Sequence, residues 1–218
     1  MKKIILGILI LASVGLIAAI LIAADLISIS NLKSAPTQTI ENLKAAIEGE
    51  SNASAMYKAF SAKAAEEGFS NIAKMFEAAA EAEAVHVKNH NAVLVKLGEP
   101  EYKPEIKTPE VGDTQANLKT AIEGETYEYT KMYPGFIVKA KAEKSSDALK
   151  SFTWARDAEF THAQLYSKAL KILSETGSDE TVSSAWFICL KCGDLFDSVE
   201  DLKACPLCGT NPTLFLKF

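Results

Sequence analysis

Asn42-Leu-Lys-Ala-Ala-Ile-Glu-Gly-Glu-Ser51 is the stretch that decides the fold, because it returns as Asn117-Leu-Lys-Thr-Ala-Ile-Glu-Gly-Glu-Thr126. Eight of the ten positions are identical, at an offset of 75 in the numbering. The chain therefore contains an internal repeat, and each copy lies in a long segment rich in alanine. Such segments favour helix, so we expect two related pairs of helices.

Four long helices are predicted between Pro36 and Gly177, and the expected caps of two of them are Ser70 and Asp113. The predicted helices are Thr37–Glu67, Ser70–Leu97, a third from Asp113 to about Glu143, and a fourth from Ser145 or Ser146 to the residue before Gly177. A long link that contains three prolines separates the two pairs. Short turns within pairs and one long crossover predict an all-α, ferritin-like four-helix bundle over residues 36–177.

The second half of the repeat carries one extra residue. Later landmarks are offset by 76 rather than 75, as His86 and His162 are, so the insertion lies between Glu125 and Met132. A single inserted residue is absorbed most simply as a π-bulge, and such bulges are common at functional sites. We predict a bulge here that directs Glu128, which has no acidic counterpart in the first half, toward the site.

Two Glu-x-x-His patterns, Glu83 to His86 and Glu159 to His162, lie in register with the repeat. Positions i and i+3 share one face of a helix, so each pattern presents a carboxylate and an imidazole together. One such pattern alone is typical of a solvated helix face, but two in register, each matched by a glutamate on the preceding helix, predict a di-iron centre. The candidate ligands are Glu50, Glu83, His86, Glu125, Glu128, Glu159 and His162.

Two further residues lie near the predicted centre. Tyr57 is two helical turns after Glu50, on the same inward face, so its hydroxyl is expected to hydrogen-bond a ligand carboxylate or the oxidant. Simple packing in the bundle is the alternative, and it is preferred for most of the other tyrosines nearby. His90 has Tyr166 as its counterpart in the second half, so we interpret it as a residue on the surface or behind the ligands.

All four cysteines lie near the C-terminus, as Cys189-Leu-Lys-Cys192 and Cys205-Pro-Leu-Cys208. Two Cys-x-x-Cys pairs separated by the short segment 193–204 predict one tetrahedral metal site rather than a disulfide framework. The spacing does not choose between iron and zinc. Beside a di-iron domain, a one-electron iron centre is the more useful of the two.

The segment 1–33 differs in character from the rest. Met1-Lys2-Lys3 precedes a run without charge from Ile4 to Ala24, which spans about 31 Å as a helix. A signal peptide has a shorter apolar region and a small-x-small cleavage site, and no clear site follows this run. Residues 1–33 are therefore predicted to form a single transmembrane anchor, with a cleaved signal segment as the alternative. The side of the membrane stays open, and cleavage would make the protein secreted or extracytoplasmic.

The charge of the chain argues against one class of partner. The net charge is −5 and the isoelectric point is near 5.4, and no basic stripe is present. A nucleic-acid partner is therefore not expected.

Taken together, these residues resemble rubrerythrin, a family with a ferritin-like di-iron domain followed by a rubredoxin-like domain. The resemblance covers about residues 36–218 and implies that residues 185–218 form a small, metal-bound β module. All seven glutamate and histidine positions and all four cysteines match ligand positions of the family. Tyr57 falls on the position of a tyrosine at the family's site.

The resemblance implies a non-haem di-iron peroxidase that reduces hydrogen peroxide to water in oxidative-stress defence. Electrons would come from an external donor, in an NADH-linked chain, and pass through the cysteine-bound iron. In the family one iron exchanges a glutamate for a histidine as its redox state changes, and here that pair would be Glu128 and His86. Family members form homodimers in which one subunit's rubredoxin-like domain lies near the other's di-iron site.

Two departures from the family are visible. Asp194 stands where the family commonly has an aromatic residue, and the family is soluble and cytoplasmic, whereas this chain begins with an apolar run. A ferroxidase that handles iron and a non-catalytic electron-transfer module are the alternative interpretations.

Overall fold

The computed structural model describes residues 36–218, and long helices account for most of them. The helices are α1 (Thr37–Glu66), α2 (Ser70–Lys96), α3 (Thr114–Tyr127), α4 (Tyr133–Ala142) and α5 (Ser146–Thr176). A π-helical turn, Glu128–Met132, joins α3 to α4 without a break, so these two form the third helix of the bundle. The predicted four-helix bundle is confirmed, and its helix ends lie within a residue of those expected.

The predicted π-bulge is also confirmed. It begins at Glu128, and the backbone of Tyr133 donates its N–H to the Glu128 carbonyl, which is the wider π spacing. The inserted residue is thereby absorbed within a single turn, so the helix on either side keeps the register of the first half of the repeat.

Aromatic side chains fill the bundle on both sides of its middle. Phe60, Phe76 and Tyr166 belong to one buried cluster, with the Phe76 and Tyr166 ring centres 5.6 Å apart. Tyr133 and Phe152 belong to a second cluster, with ring centres 6.0 Å apart. Buried glutamates and histidines lie between the two clusters along the helices, so the polar layer has an apolar cluster on each side along the bundle.

The helix caps show where local sequence was a sufficient guide. Asp113 caps α3 as predicted, because its side chain accepts a hydrogen bond of 2.7 Å from the Ala116 amide. Ser70 is not the cap of α2, and that prediction is wrong. Instead Asp179, which follows α5 in the chain, accepts from the amides of Asn71 and Ile72 at 2.7 and 3.1 Å. A cap supplied by a residue so distant in the chain leaves no local signal.

The C-terminal residues form a small sheet against the bundle. Strands β1 (Phe187–Ile188), β2 (Leu195–Phe196) and β3 (Leu216–Lys217) are antiparallel in the order β2-β1-β3. Trp186 is buried just before β1, and its ring N–H donates to the carbonyl of Asn71 on α2 at 3.2 Å. The module is therefore anchored to the bundle by a side chain outside its own sheet.

Among residues 36–218, no helix combines the length and apolar character needed to cross a bilayer. The anchor predicted for residues 1–33 lies outside the described residues.

Candidate metal centre

Six of the seven predicted ligands of the di-iron centre meet in the middle of the bundle. They form two groups whose ligand atoms lie within 4.8 Å of one another. One group holds Glu50 and His86 and the other holds Glu125 and His162, while Glu83 and Glu159 belong to both. All six residues are at most 2 % exposed. Two carboxylates shared between two groups are the arrangement expected for carboxylates that bridge a pair of metal ions.

The two histidines point the same nitrogen at the carboxylates. His86 Nδ1 lies 2.9 Å from an oxygen of Glu83 and 2.9 Å from one of Glu159. His162 Nδ1 lies 2.9 Å from the second oxygen of Glu159. On the other edge of each ring, Nε2 lies near a backbone carbonyl: Cys192 O is 3.0 Å from His86 Nε2, and Gly193 O is 3.1 Å from His162 Nε2.

These contacts determine which nitrogen carries the proton. A carbonyl oxygen can only accept, so both Nε2 atoms must donate, and Nδ1 of a neutral ring is left with a bare lone pair. That lone pair faces carboxylate oxygens, which also only accept. A cation between the two kinds of acceptor is needed to make the arrangement favourable.

The acid side chains show the same demand for positive charge. Both oxygens of Glu159, Oε2 of Glu50 and Oε1 of Glu83 are buried without a hydrogen-bond donor. Four buried carboxylates carry a charge of −4 when ionised, and two ferrous ions carry +4. Oxygen and imidazole donors in this number suit iron, so the residues present fit a di-iron group.

The pKa values of the centre reflect the crowding of like charges. Burial opposes protonation of His86, but the nearby charges of Glu159 and Glu83 raise the pKa of His86 to about 10. Burial, with the charges of Glu83 and Glu159, raises the pKa of Glu125 to about 8. Protons are thus held where a cation would otherwise lie, and metal binding is expected to displace them.

The four cysteines form a second cluster, as predicted. Their sulfur atoms lie within 4.8 Å of one another, with Cys189 Sγ 3.4 Å from Cys208 Sγ and Cys192 Sγ 3.5 Å from Cys205 Sγ. All four are free thiols, so the disulfide interpretation is excluded. The Cys192 thiol and the backbone amides of residues 191 and 192 lower the pKa of Cys189 to about 4, against the effect of burial. A stabilised thiolate in a fourfold sulfur cluster is a ready ligand for iron or zinc.

A family model named Rubrerythrin matches residues 41–170 of the chain. The chain belongs to the rubrerythrin family. Nigerythrin of Nitratidesulfovibrio vulgaris is 38% identical over 181 residues, which cover 83% of this chain and 86% of nigerythrin. Rubrerythrin-2 of Clostridium acetobutylicum is 33% identical over 184 residues, covering 83% of this chain and 96% of that protein.

Solved structures agree with the sequence comparison. Nigerythrin in its fully reduced, all-ferrous state matches with a TM-score of 0.75 at 38% identity, over 83% of this chain and 86% of that one. The glutamate and histidine set is therefore the di-iron site of a rubrerythrin-family protein, and the four cysteines are its site for rubredoxin-like iron. The chain is an oxidoreductase of the di-iron, oxidative-stress class.

Glu128 is the one predicted ligand that does not join either group. It lies at the rim of the di-iron centre, partly exposed, with its Oε1 facing Gly49. Burial and the charges of Glu125 and Glu159 raise the pKa of Glu128 well above the usual value. Glu128 is therefore close enough to interact electrostatically with the ligand carboxylates. The predicted bulge is present, whereas the role of Glu128 as a ligand stays a prediction.

Two tyrosines of this rubrerythrin-family site hold glutamates of opposite halves of the repeat. The Tyr57 hydroxyl donates to Glu125 Oε1 at 2.6 Å, which matches the expectation that it contacts a ligand. The Tyr133 hydroxyl donates to Glu50 Oε1. Sequence reasoning missed Tyr133 by assigning it to packing, although an offset of 76 makes it the repeat counterpart of Tyr57.

His90 is fully buried behind the centre, so of its two interpretations the position behind the ligands is confirmed and the surface position is wrong. Its Nε2 lies 3.1 Å from the Tyr133 hydroxyl, and its Nδ1 lies 2.8 Å from the Ser151 hydroxyl. Burial, and to a smaller extent the charge of His86, lowers the pKa of His90 to about 3, so the ring is neutral. The ring fills a polar position that has no histidine in the second half.

An open cleft of about 550 Å³ leads from the surface to the di-iron centre. It lies between α1, α3 and the crossover link, and it reaches Tyr57, Glu125 and Glu128. The link is held over the cleft by a hydrogen bond of 2.8 Å from the Lys107 amide to the Asn52 side chain. Small residues of α1, namely Ala45, Gly49 and Ala53, line the passage.

The cysteine cluster touches the di-iron site through Gly193. Its φ of +84° is a conformation that side chains rarely adopt, and a Cβ placed there would overlap the ring of His86. Glycine is therefore required twice at this position, once by the turn and once by the close approach of the backbone to His86.

Proposed function

We propose that this chain reduces hydrogen peroxide to water at the di-iron site, with electrons passing through the cysteine-bound iron. The observation that carries the proposal is the two-sided access to one buried centre. An open cleft reaches Tyr57 and Glu125, while the cysteine cluster contacts both histidines at their outer edges. An oxidant and an electron source can therefore reach the centre without competing for the same opening.

When bound, the two ferrous ions supply the two electrons that hydrogen peroxide requires to become two waters with the addition of two protons. The protein residues bind and orient. Tyr57 lines the cleft and holds Glu125 by its hydroxyl, so the inner end of the cleft is fixed where peroxide would arrive. The two aromatic clusters limit the access of water to the centre along the length of the bundle.

Return of electrons is favoured by the short connection between the two centres. Each histidine donates one hydrogen bond to the backbone of the Cys192-Gly193 turn, so the cysteine cluster and the imidazoles are joined without an intervening side chain. An external donor, such as a reductase in an NADH-linked chain, would then need to reach only the cysteine cluster. Cys208, the most exposed of the four, offers that contact.

Glu128 and His86 would serve as the ligand pair that exchanges with redox state. His86 belongs to a ligand group here, while Glu128 lies at the rim on a π-helical turn. A π turn has weaker local hydrogen bonding than α-helix, so moving a side chain that it carries is less costly. The arrangement supports an exchange in which Glu128 approaches as His86 leaves.

A ferroxidase is the second candidate, and the acidic lining of the cleft favours it. Glu48, Glu125 and Glu128 all line the passage. A cleft lined by carboxylates raises the local concentration of cations such as ferrous ions. The two functions differ in the substrate that is consumed, since a ferroxidase can use either oxygen or peroxide as its oxidant. A ferroxidase turns over added ferrous iron, whereas a peroxidase turns over peroxide and reductant.

The test is a comparison of the two oxidants on the same preparation. The full chain is loaded with iron, reduced, and mixed with hydrogen peroxide or with air-saturated buffer in a stopped-flow instrument. Fast oxidation by peroxide, and steady NADH consumption when a reductase is supplied, support the proposal. Fast oxidation of added ferrous iron without peroxide-dependent NADH consumption overturns it in favour of the ferroxidase. A cysteine site that holds zinc, without ferric thiolate absorption, overturns the internal electron path.

Assembly and location complete the proposal. We infer a homodimer in which the cysteine module of each chain lies against the bundle of the other chain, in place of the contact that it makes here with its own bundle. We also infer a membrane anchor from the uncharged run Ile4 to Ala24. Extraction of the native membrane fraction with carbonate tests the anchor, and a protein that washes off with carbonate contradicts it. Sedimentation in detergent tests the dimer, and a single-chain mass contradicts it.

A further inference from the structure

We propose that Ser151, His90 and Tyr133 form a proton wire that delivers protons to Glu50 from a surface cavity between α2 and α5. The wire is separate from the cleft by which peroxide would arrive, since that cleft lies between α1 and α3. The inference rests on the proposed function, because reduction of peroxide consumes two protons for every two electrons.

The hydrogen bonds of the wire all run in one direction. The Tyr133 hydroxyl donates to Glu50, so its oxygen is free to accept from His90 Nε2 at 3.1 Å. A neutral imidazole that donates from Nε2 must accept at Nδ1, where the Ser151 hydroxyl lies at 2.8 Å. Every donor in the chain therefore points toward Glu50, which is the order that a proton relay requires.

The relay is shielded from water along its length. His90 and Tyr133 are fully buried, and Ser151 is 6 % exposed. Water therefore has no access to the middle of the proton wire and cannot exchange protons with His90 or Tyr133 directly. The ring of His90 packs against Phe152, with ring centres 5.3 Å apart, which holds the imidazole between its two partners.

The outer end of the wire opens to solvent. Ser151 lines a cavity of about 160 Å³ whose other walls include Lys96, Asp147 and Lys150. Lys96 and Asp147 form an exposed ion pair at 3.2 Å, so groups able to exchange protons with water surround the mouth. A water in this cavity would be within reach of the Ser151 hydroxyl.

The transfer balances without a change in charge along the wire. A proton from the cavity binds the Ser151 oxygen as the serine proton passes to His90 Nδ1. The His90 Nε2 proton passes to the Tyr133 oxygen, and the Tyr133 proton passes to Glu50 beside the centre. Ser151, His90 and Tyr133 each gain one proton and give one up, Glu50 keeps the delivered proton, and His90 is left with its proton on Nδ1.

The test uses Ser151→Ala, which breaks the outer link, and His90→Gln, which can keep both hydrogen bonds but relays protons poorly. Ser167→Ala is the matched control, since Ser167 is on the same helix and its hydroxyl donates to the Ala163 carbonyl. Oxidation of the reduced, iron-loaded full chain by hydrogen peroxide is followed in H2O and D2O. We expect both wire variants to slow it ~10-fold or more, with a changed solvent isotope effect, while the control matches wild type.

A second readout does not depend on activity. In the full chain loaded with zinc, ¹⁵N NMR reports which nitrogen of His90 is protonated. We expect a proton on Nε2 and a bare, hydrogen-bonded Nδ1 whose shift changes in Ser151→Ala. The opposite tautomer overturns the wire, as does an unchanged oxidation rate in both variants. If wild type fails to react with peroxide, the proposed function fails on its own, and the His90 tautomer still decides for or against the wire.

Discussion

His86 donates a hydrogen bond of 3.0 Å from Nε2 to the carbonyl oxygen of Cys192, so a ligand of the di-iron site is bonded to the backbone of a ligand of the second metal site. The same ring excludes any side chain at Gly193. The two sites are therefore in direct contact, and adding a single atom at the cysteine turn is expected to displace the His86 imidazole.

Replacing Gly193 should separate the two sites. In Gly193→Ala the added methyl group would overlap His86, so the turn must move away and both histidine hydrogen bonds should lengthen. We expect the cysteine site to keep its iron spectrum while electron transfer from it to the di-iron site slows ~10-fold or more, as observed by stopped flow. Gly209→Ala is the matched control, because Gly209 has a similar φ of +74° with no atom near its Cβ position. Equal slowing in both variants would show that backbone strain, rather than the contact with His86, is responsible.

Deleting Thr130 should convert the π turn to α-helix. The deletion gives both halves of the repeat one constant offset, and Thr130 is exposed, so the bundle should fold. Glu128 would lose the backbone geometry that places it at the rim, and we expect two irons to bind with peroxide turnover lowered ~10-fold or more. Iron content and NADH-linked turnover are the measurements. Full activity in the deletion variant would mean that the bulge has no part in the chemistry.

Removing the Glu128 carboxylate should affect turnover more than metal content. Because Glu128 is outside both ligand groups, Glu128→Ala is expected to bind two irons and to be impaired when the di-iron site is reoxidised. Metal analysis and the spectrum after addition of peroxide check this. Glu123→Ala, on the exposed face of α3, provides the control. Loss of one iron in Glu128→Ala, with none lost in the control, would instead make Glu128 an essential ligand.

His90 should make the protein sensitive to acid. Burial lowers its pKa from 6.5 to about 3, so between these values the unfolded chain binds a proton here and the folded chain does not. Stability conferred by the neutral ring is present above pH 6.5 and is lost as the pH falls toward 3, by up to about 1.4 kcal/mol per pH unit. In urea unfolding, the free-energy gap between wild type and His90→Gln should shrink as the pH is lowered from 7.5 to 5. Parallel pH curves for the two proteins would contradict this.

Much of the site could be predicted from the sequence because each half of the repeat carries the same pattern of glutamate and histidine ligands. The offset that changes from 75 to 76 was enough to place the π turn, and the same offset pairs Tyr133 with Tyr57. What the sequence did not reveal depends on contacts between distant segments. Asp179 caps α2 from beyond α5, and the burial of His90 depends on Ser151 and Tyr133 on other helices. Neither leaves a periodic pattern that a local rule could detect.

The crossed tyrosine contacts bear on how such a bundle could arise. Tyr57 of the first half holds Glu125 of the second, and Tyr133 of the second half holds Glu50 of the first. Reciprocal contacts of this kind are typical of a two-fold symmetric interface. In such an interface, a residue of the first copy contacts a second residue of the other copy, and the equivalent contact is made in the opposite direction. A single helical hairpin bearing one tyrosine, two glutamates and one histidine could thus have closed around metal as a symmetric pair of separate chains. Fusion of two such hairpins would preserve the symmetry, and the later gain of one residue beside Glu128 would be the event that broke it.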